Sequence, residues 1–175
     1  MIVGQRGSGK RTLARKLGER TGLPVIHIDR IHRQPGWIER SKEEKSRLCR
    51  KAELTDEWIF EGGHSATLPS RLQRSEMLVW LDRPIGLRLW RAVRRAVTSL
   101  GKTRPDTADG CLERLSSLPE FIEYIWRTRN SSRKTIARLA AHAPGGLAVV
   151  PLRSDRQAAE FLVRFGPQPR GPTGA

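Results

Sequence analysis

The first 29 residues constrain this chain more than any other stretch. Ile2-Val3-Gly4 reads as a short apolar strand that runs into the glycine-rich turn Gln5-Arg6-Gly7-Ser8-Gly9-Lys10. Residues 11–21 then read as a helix, with Leu13, Ala14 and Leu17 on one face. Gly22 and Pro24 stop it. Val25-Ile26-His27-Ile28 follows as a second buried strand ending at Asp29. Strand, turn, helix and strand in so short a span make a βαβ unit, hence a parallel sheet with a right-handed crossover.

The spacing Gly4-x-x-x-x-Gly9-Lys10 fits a phosphate-binding loop. Without a Cβ at Gly4, Gly7 and Gly9, backbone N–H groups can converge on an anion. The helix start adds its positive dipole end, and Lys10 a mobile point charge. Ser8, Arg11 and Thr12 complete the candidate binding stretch. One position departs from the pattern. A Ser or Thr hydroxyl ordinarily follows the lysine and holds Mg²⁺. Here Arg11 follows, which cannot ligate a metal and would repel one, and Thr12 lies one step round the helix.

Two acids stand where strands should end. Asp29 closes the second strand, at the edge where open α/β sheets place ligand groups. It could orient a substrate hydroxyl or a metal-bound water, or simply cap a turn. Trp58-Ile59-Phe60-Glu61-Gly62-Gly63 reads as a third strand ending in Glu61. That carboxylate could hold Mg²⁺ through water, activate a hydroxyl, or sit in a salt bridge. His27 and His32 flank Asp29, and the basic loop 30–37 could receive a second substrate. Ser41-Lys42-Glu43-Glu44 is a capping box that opens a polar helix to about Leu54, with Leu48 and Ala52 expected inward.

Met77-Leu78-Val79-Trp80-Leu81 is a nearly continuous apolar run, as a strand buried on both faces should be. Residues 85–100 then have Ile85, Leu89, Val93, Ala96 or Val97, and Leu100 at helical spacing. Residues 88–104 hold six basic residues (Arg88, Arg91, Arg94, Arg95, Lys102, Arg104) and no acid. Two readings stand open: an arginine-rich lid over a nucleotide, moving about the turn-rich segment 103–111, or a basic face for nucleic acid. Residues 119–142 read as helical, with Arg127, Arg129, Arg133 and Lys134 able to point back at phosphates. Residues 147–152 read as a fifth strand. Ser154 caps a last helix, with Ala158, Ala159, Leu162 and Phe165 expected inward.

At 175 residues the chain should be one domain with one core. Residues 1–166 form that domain, the lid covering roughly residues 88–134, and the Pro/Gly-rich stretch 167–175 reads as a disordered tail. The net charge of +15 favours anionic partners, nucleotide or non-specific nucleic acid, although arginine-rich surfaces are also simply solvated. No apolar run approaches the roughly 20 residues that span a membrane. No signal peptide is expected ahead of the first strand. Cys49 and Cys111 are too few for a four-cysteine zinc site and read as free thiols, so a reducing, cytoplasmic setting is expected.

With these pieces placed, the chain resembles the small P-loop kinases of the adenylate-kinase-like class. More narrowly it is similar to the bacterial DNA topology modulation proteins. The matching stretches are residues 4–12, His27-Ile28-Asp29 with Pro35-Gly36-Trp37, Trp58-Ile59-Phe60-Glu61-Gly62, and Leu81-Asp82-Arg83-Pro84. Leu89-Trp90-Arg91, Arg94-Arg95 and Thr103-Arg104-Pro105-Asp106 through Gly110-Cys111 complete them. The resemblance implies a three-layer α/β fold with a five-stranded parallel sheet in the order 2-3-1-4-5, helices on both faces and a lid after strand four. It implies ATP at the first loop and a second substrate, nucleotide or small molecule, near Asp29.

The leading expectation is therefore an ATP-binding phosphotransferase or NTPase. Lys10 and the backbone of residues 7–10 would hold the β- and γ-phosphates. Asp29 and Glu61 would organise the acceptor and any Mg²⁺, and Arg91, Arg95, Arg127 and Arg133 would neutralise transferring charge. Two alternatives stand beside it: a DNA-binding protein using nucleotide as a switch, and an ATP binder without turnover because of Arg11. Glu61 also stands where the resembled family more often has Asp.

Overall fold

A computed structural model describes residues 1–98, 116 and 118–166. Five strands form one parallel sheet: β1 (Ile2–Gly4), β2 (Val25–His27), β3 (Ile59–Glu61), β4 (Met77–Leu81) and β5 (Ala148–Leu152). Their order is β2-β3-β1-β4-β5, as expected. Ile2 pairs with Glu61 on one side and Val79 on the other, which puts β1 at the centre.

Alternation along the strands divides the apolar side chains between two faces. Ile2, Ile59, Val79, Leu81 and Leu152 share one face with Leu13, Ala14 and Leu17 of α1 (Lys10–Thr21) and Phe161 and Leu162 of α8 (Asp155–Val163). Met1, Val3 and Leu78 share the other with Leu72 of α4 (Leu68–Gln73) and Ile136 and Leu139 of α7 (Arg129–Ala141). Phe60 extends that second face toward Ile28 of α2 (Ile28–His32) and Cys49 of α3 (Lys42–Glu53). The architecture is thus three-layered, with helices on both sides. No helix among the described residues is long and apolar enough to cross a membrane.

Several expectations need correction. β2 stops at His27, and Ile28 and Asp29 belong to α2. Ile28 is turned onto the backbone of Gly62, where an added Cβ would lie 2.2 Å from its Cγ2. The stretch 30–37 is not one loop, because α2 runs to His32 and a 3-10 turn spans Pro35–Trp37. Ser41 caps α3 as expected, accepting from the Glu44 N–H. The fully buried face is Lys45, Cys49 and Glu53; Ala52 packs half-buried against the same cluster, as expected, and Leu48 is half-buried. Polar partners make this register tolerable: Lys45 pairs with Glu39, and Ser70 Oγ donates to Glu53.

The helix after β4, α5 (Ile85–Thr98), buries Arg88, Ala92 and Ala96, while Trp90, Val93 and Val97 stay exposed. The two alanines let the helix approach the glycine loop closely enough to bury the arginine. Residues 119–142 are two helices, α6 (Leu118–Arg127) and α7, broken at Thr128. Thr128 Oγ1 donates to the Tyr124 carbonyl at 2.6 Å, and the turn presents the Arg129 carbonyl to Gln5 Nε2 at 2.6 Å. α8 starts at a full capping box on Ser154, and its inner side is Phe161 and Leu162, with Ala159 exposed. Leu100, Lys102, Arg104, the segment 103–111 with Cys111, and residues 167–175 lie outside the described residues. Cys49 is a buried free thiol.

Candidate functional site: a phosphate-binding loop at the carboxyl edge of the sheet

β1 delivers the chain to the loop, and the loop is clamped from behind. Gly7 and Gly9 both take left-handed backbone, at φ 78° and 93°. Gly7 lies so close to α5 that a Cβ there would meet the Arg88 carbonyl oxygen at 2.6 Å. Gly9 caps α1, whose first-turn N–H groups point into the loop. Arg88 Nε donates to the Arg6 carbonyl at 2.8 Å, and Arg91 Nη1 to the Ser8 carbonyl at 2.8 Å. Donors from α5 thus hold the Arg6 and Ser8 carbonyls, while the Gln5 carbonyl accepts from the Ser8 N–H within the loop.

Lys10 folds over the loop, with Nζ 3.1 Å from the Gln5 carbonyl oxygen. Burial lowers its pKa to about 8, with Arg11, Arg6 and Arg88 also lowering it and Glu61 opposing. The same broad cavity is lined by Lys10, Asp29, Glu61, Arg91, Arg95 and Arg127. Arg95 stacks over the Phe121 ring at 4.9 Å, and Arg6 over Tyr124 at 4.5 Å, so aromatic rings of α6 carry cations at the cavity wall. Arg127 lies 3.9 Å from Glu123.

The expected residues do not all converge. Arg133 does not line the cavity. It holds Asp82 with two hydrogen bonds, of 2.8 and 2.7 Å, and so ties α7 to the end of β4. Thr12, though exposed on α1, does line the cavity. Arg91 also bonds both oxygens of Asp155, at 2.5 and 2.7 Å, and Arg83 reaches the same carboxylate at 3.2 Å. Arg6, Arg83, Arg88 and Asp155 were not singled out from sequence as site residues. One signal for Arg88 was present: it lies four and eight residues before Ala92 and Ala96, on the small-residue face that packs closest. Nothing local marks Asp155.

The acids at the sheet edge are both engaged. Glu61 is 2% exposed, and its Oε2 is 3.1 Å from His27 Nδ1 across the β2–β3 pairing. With the carboxylate as acceptor, the proton sits on Nδ1. Asp29 is ion-paired to Arg11. These facts decide the fit of a divalent cation. Mg²⁺ demands oxygen donors in near-octahedral order, yet a guanidinium follows Lys10 and neutralises Asp29, and Glu61 is turned to an imidazole. The residues present do not fit the metal that such loops ordinarily use.

No protein-family model and no curated protein matches the chain. Among solved structures, shikimate kinase from Acinetobacter baumannii in complex with shikimate aligns at a TM-score of 0.54 and 16% identity, covering 93% of this chain and 87% of that one. A Chloroflexus aurantiacus protein described as a kinase aligns at 0.50 and 14% identity, covering 95% of this chain and 97% of its own. At such identities the likeness is one of fold. Sheet order, glycine loop and overall alignment agree that this chain has the fold of the small P-loop kinases.

Proposed function

We propose that this chain is a phosphotransferase that binds ATP by its phosphates at residues 4–12 and passes the terminal phosphoryl group to a hydroxyl-bearing small molecule. The observation that carries the reading is that the loop, Lys10, Asp29 and Glu61 all face one cavity at the carboxyl edge of the sheet. Loop amides and Lys10 would hold the β- and γ-phosphates. Glu61, oriented by His27, would take the proton of the acceptor hydroxyl as its oxygen bonds to the γ-phosphorus. The bond from phosphorus to the β–γ bridging oxygen then breaks, and ADP leaves. Arg91, Arg95 and Arg127 would offset charge on the transferring group, since phosphoryl transfer depends mainly on positioning and electrostatics. α5 is tied to the loop through Arg88 and α7 to Asp82 through Arg133, so a lid moving as the whole of residues 88–134 is not part of this reading.

A DNA-topology role, with nucleotide as a switch, draws its motive from the net charge of +15. That charge is partly consumed inside the fold. Arg71, Arg83 and Arg88 are buried and so are not offered to a DNA backbone. The kinase reading is therefore preferred. ATP consumption across a panel of small hydroxyl compounds, in EDTA and in MgCl₂, tests it. Lys10→Ala should abolish turnover, and parental rates in that variant would remove the loop from the chemistry. Duplex DNA binding that falls by roughly 10³-fold between 50 and 200 mM salt would favour the other reading.

A further inference from the structure

We propose that Arg11 takes the place of the divalent cation, so that this loop binds the metal-free polyphosphate anion in preference to its magnesium complex. The inference rests on the phosphate-loop reading above and specifies the ionic form of the ligand. Arg11 is the second residue of α1, directly after the lysine, where a metal-binding hydroxyl ordinarily stands. Its side chain is 22% exposed and paired with Asp29 from α2, so the guanidinium lies between the two elements that would otherwise supply metal donors. The other acid of the site, Glu61, is engaged by His27. Bringing in a doubly charged ion would mean stripping both acids of their partners beside a fixed positive charge.

The cations at the cavity supply what the metal would have supplied. Lys10, Arg11, Arg6, Arg91 and Arg95 all line it. A metal-free triphosphate carries two more negative charges than its magnesium complex and matches this surplus better. Guanidinium groups also hold phosphate oxygens bidentately without the strict geometry or dehydration that Mg²⁺ requires. Burial is the main cause of the lowered Lys10 pKa, and repulsion from Arg11 and Arg6 adds to it.

Calorimetric titration of ATP into the full chain, in excess EDTA and in excess MgCl₂, tests the inference directly. Binding should be roughly tenfold tighter in EDTA. Equal binding in the two buffers, or tighter binding in MgCl₂, would overturn it. Arg11→Ser should acquire tighter binding in MgCl₂ than in EDTA, whereas Arg11→Lys, which keeps a cation, should not. If Arg11→Ser showed the parental pattern, the assignment to Arg11 would fall. Absence of heat in both buffers would instead refute the nucleotide reading itself, and the inference with it. Thermal melts of both variants establish that they are folded before titration.

Discussion

Substituting Gly7 by alanine probes the clamp between the loop and α5. The residue sits at φ 78°, where an L side chain costs roughly 1–2 kcal/mol. Its new Cβ would stand 2.6 Å from the Arg88 carbonyl oxygen, a backbone atom in a helix that cannot swing aside. The contact must open to at least 3.0 Å, and relieving such overpacking typically adds about 1–3 kcal/mol. A loss of roughly 2–5 kcal/mol is expected, which for a chain of this size lowers Tm by about 4–20 °C. The shift also moves the amides off the phosphate position, so ATP affinity should fall at least roughly tenfold. Gly86→Ala is the control, since nothing lies within 4 Å of a Cβ there and the residue is in the first turn of α5. It should raise stability by about 0.5 kcal/mol and leave binding unchanged. Differential scanning fluorimetry and calorimetry read both. A Gly7→Ala melt within about 2 °C of the parent would refute the packing argument.

Arg88→Ala, which empties a buried site and strands the Arg6 carbonyl, should cost roughly 2–4 kcal/mol in urea unfolding. Arg88→Met should recover more than half of that because it refills the volume without a buried charge, and equal losses would show that packing is not the cause. Because burial holds the free Lys10 ammonium at about pKa 8, ATP affinity should be flat below pH 8 and fall by up to about tenfold per unit above it. In the ligand-free protein the sign is opposite: the folded state binds fewer protons than the unfolded one between about 8 and 10.5, so this group adds stability as pH rises through that window. A Lys10→Arg variant that kept the affinity loss would assign it to another group. Hydrogen bonding from Arg133 holds the Asp82 carboxyl below its usual 3.8, and Arg91 does the same for Asp155. Their contributions are present above about pH 4 and lost as pH falls below it, so acid melts of Asp82→Asn should be flatter than the parent's.

Much of the frame was legible because it depends on local patterns. The opening βαβ unit follows from apolar runs punctuated by Gly and Pro at Gly22 and Pro24. The caps at Ser41 and Ser154 need only a hydroxyl at the right spacing. The glycine loop was legible for the same reason, since positive φ and close approach select glycine whatever lies elsewhere in the chain. The corrections fall where a helix had to choose its inward face. In α3 and α5 that choice placed Lys45, Glu53 and Arg88 inside, against the apolar periodicity. Two of their partners come from other segments, Ser70 and the carbonyl of Arg6, while Glu39 lies just ahead of α3.

The glycine loop proposed to bind phosphate was therefore determined by sequence alone, since Gly7 and Gly9 act through backbone conformation and Lys10 is one local charge. Which cations serve it was decided only in three dimensions. Folding sent Arg133 to Asp82, brought Arg91 to the loop and to Asp155, and set Arg11 on Asp29. Every arginine carries the same charge in the sequence. Arg133 is held by Asp82 away from the cavity, whereas Arg11 and Arg91 line the cavity although each is paired with a carboxylate, and the tertiary fold sets these placements.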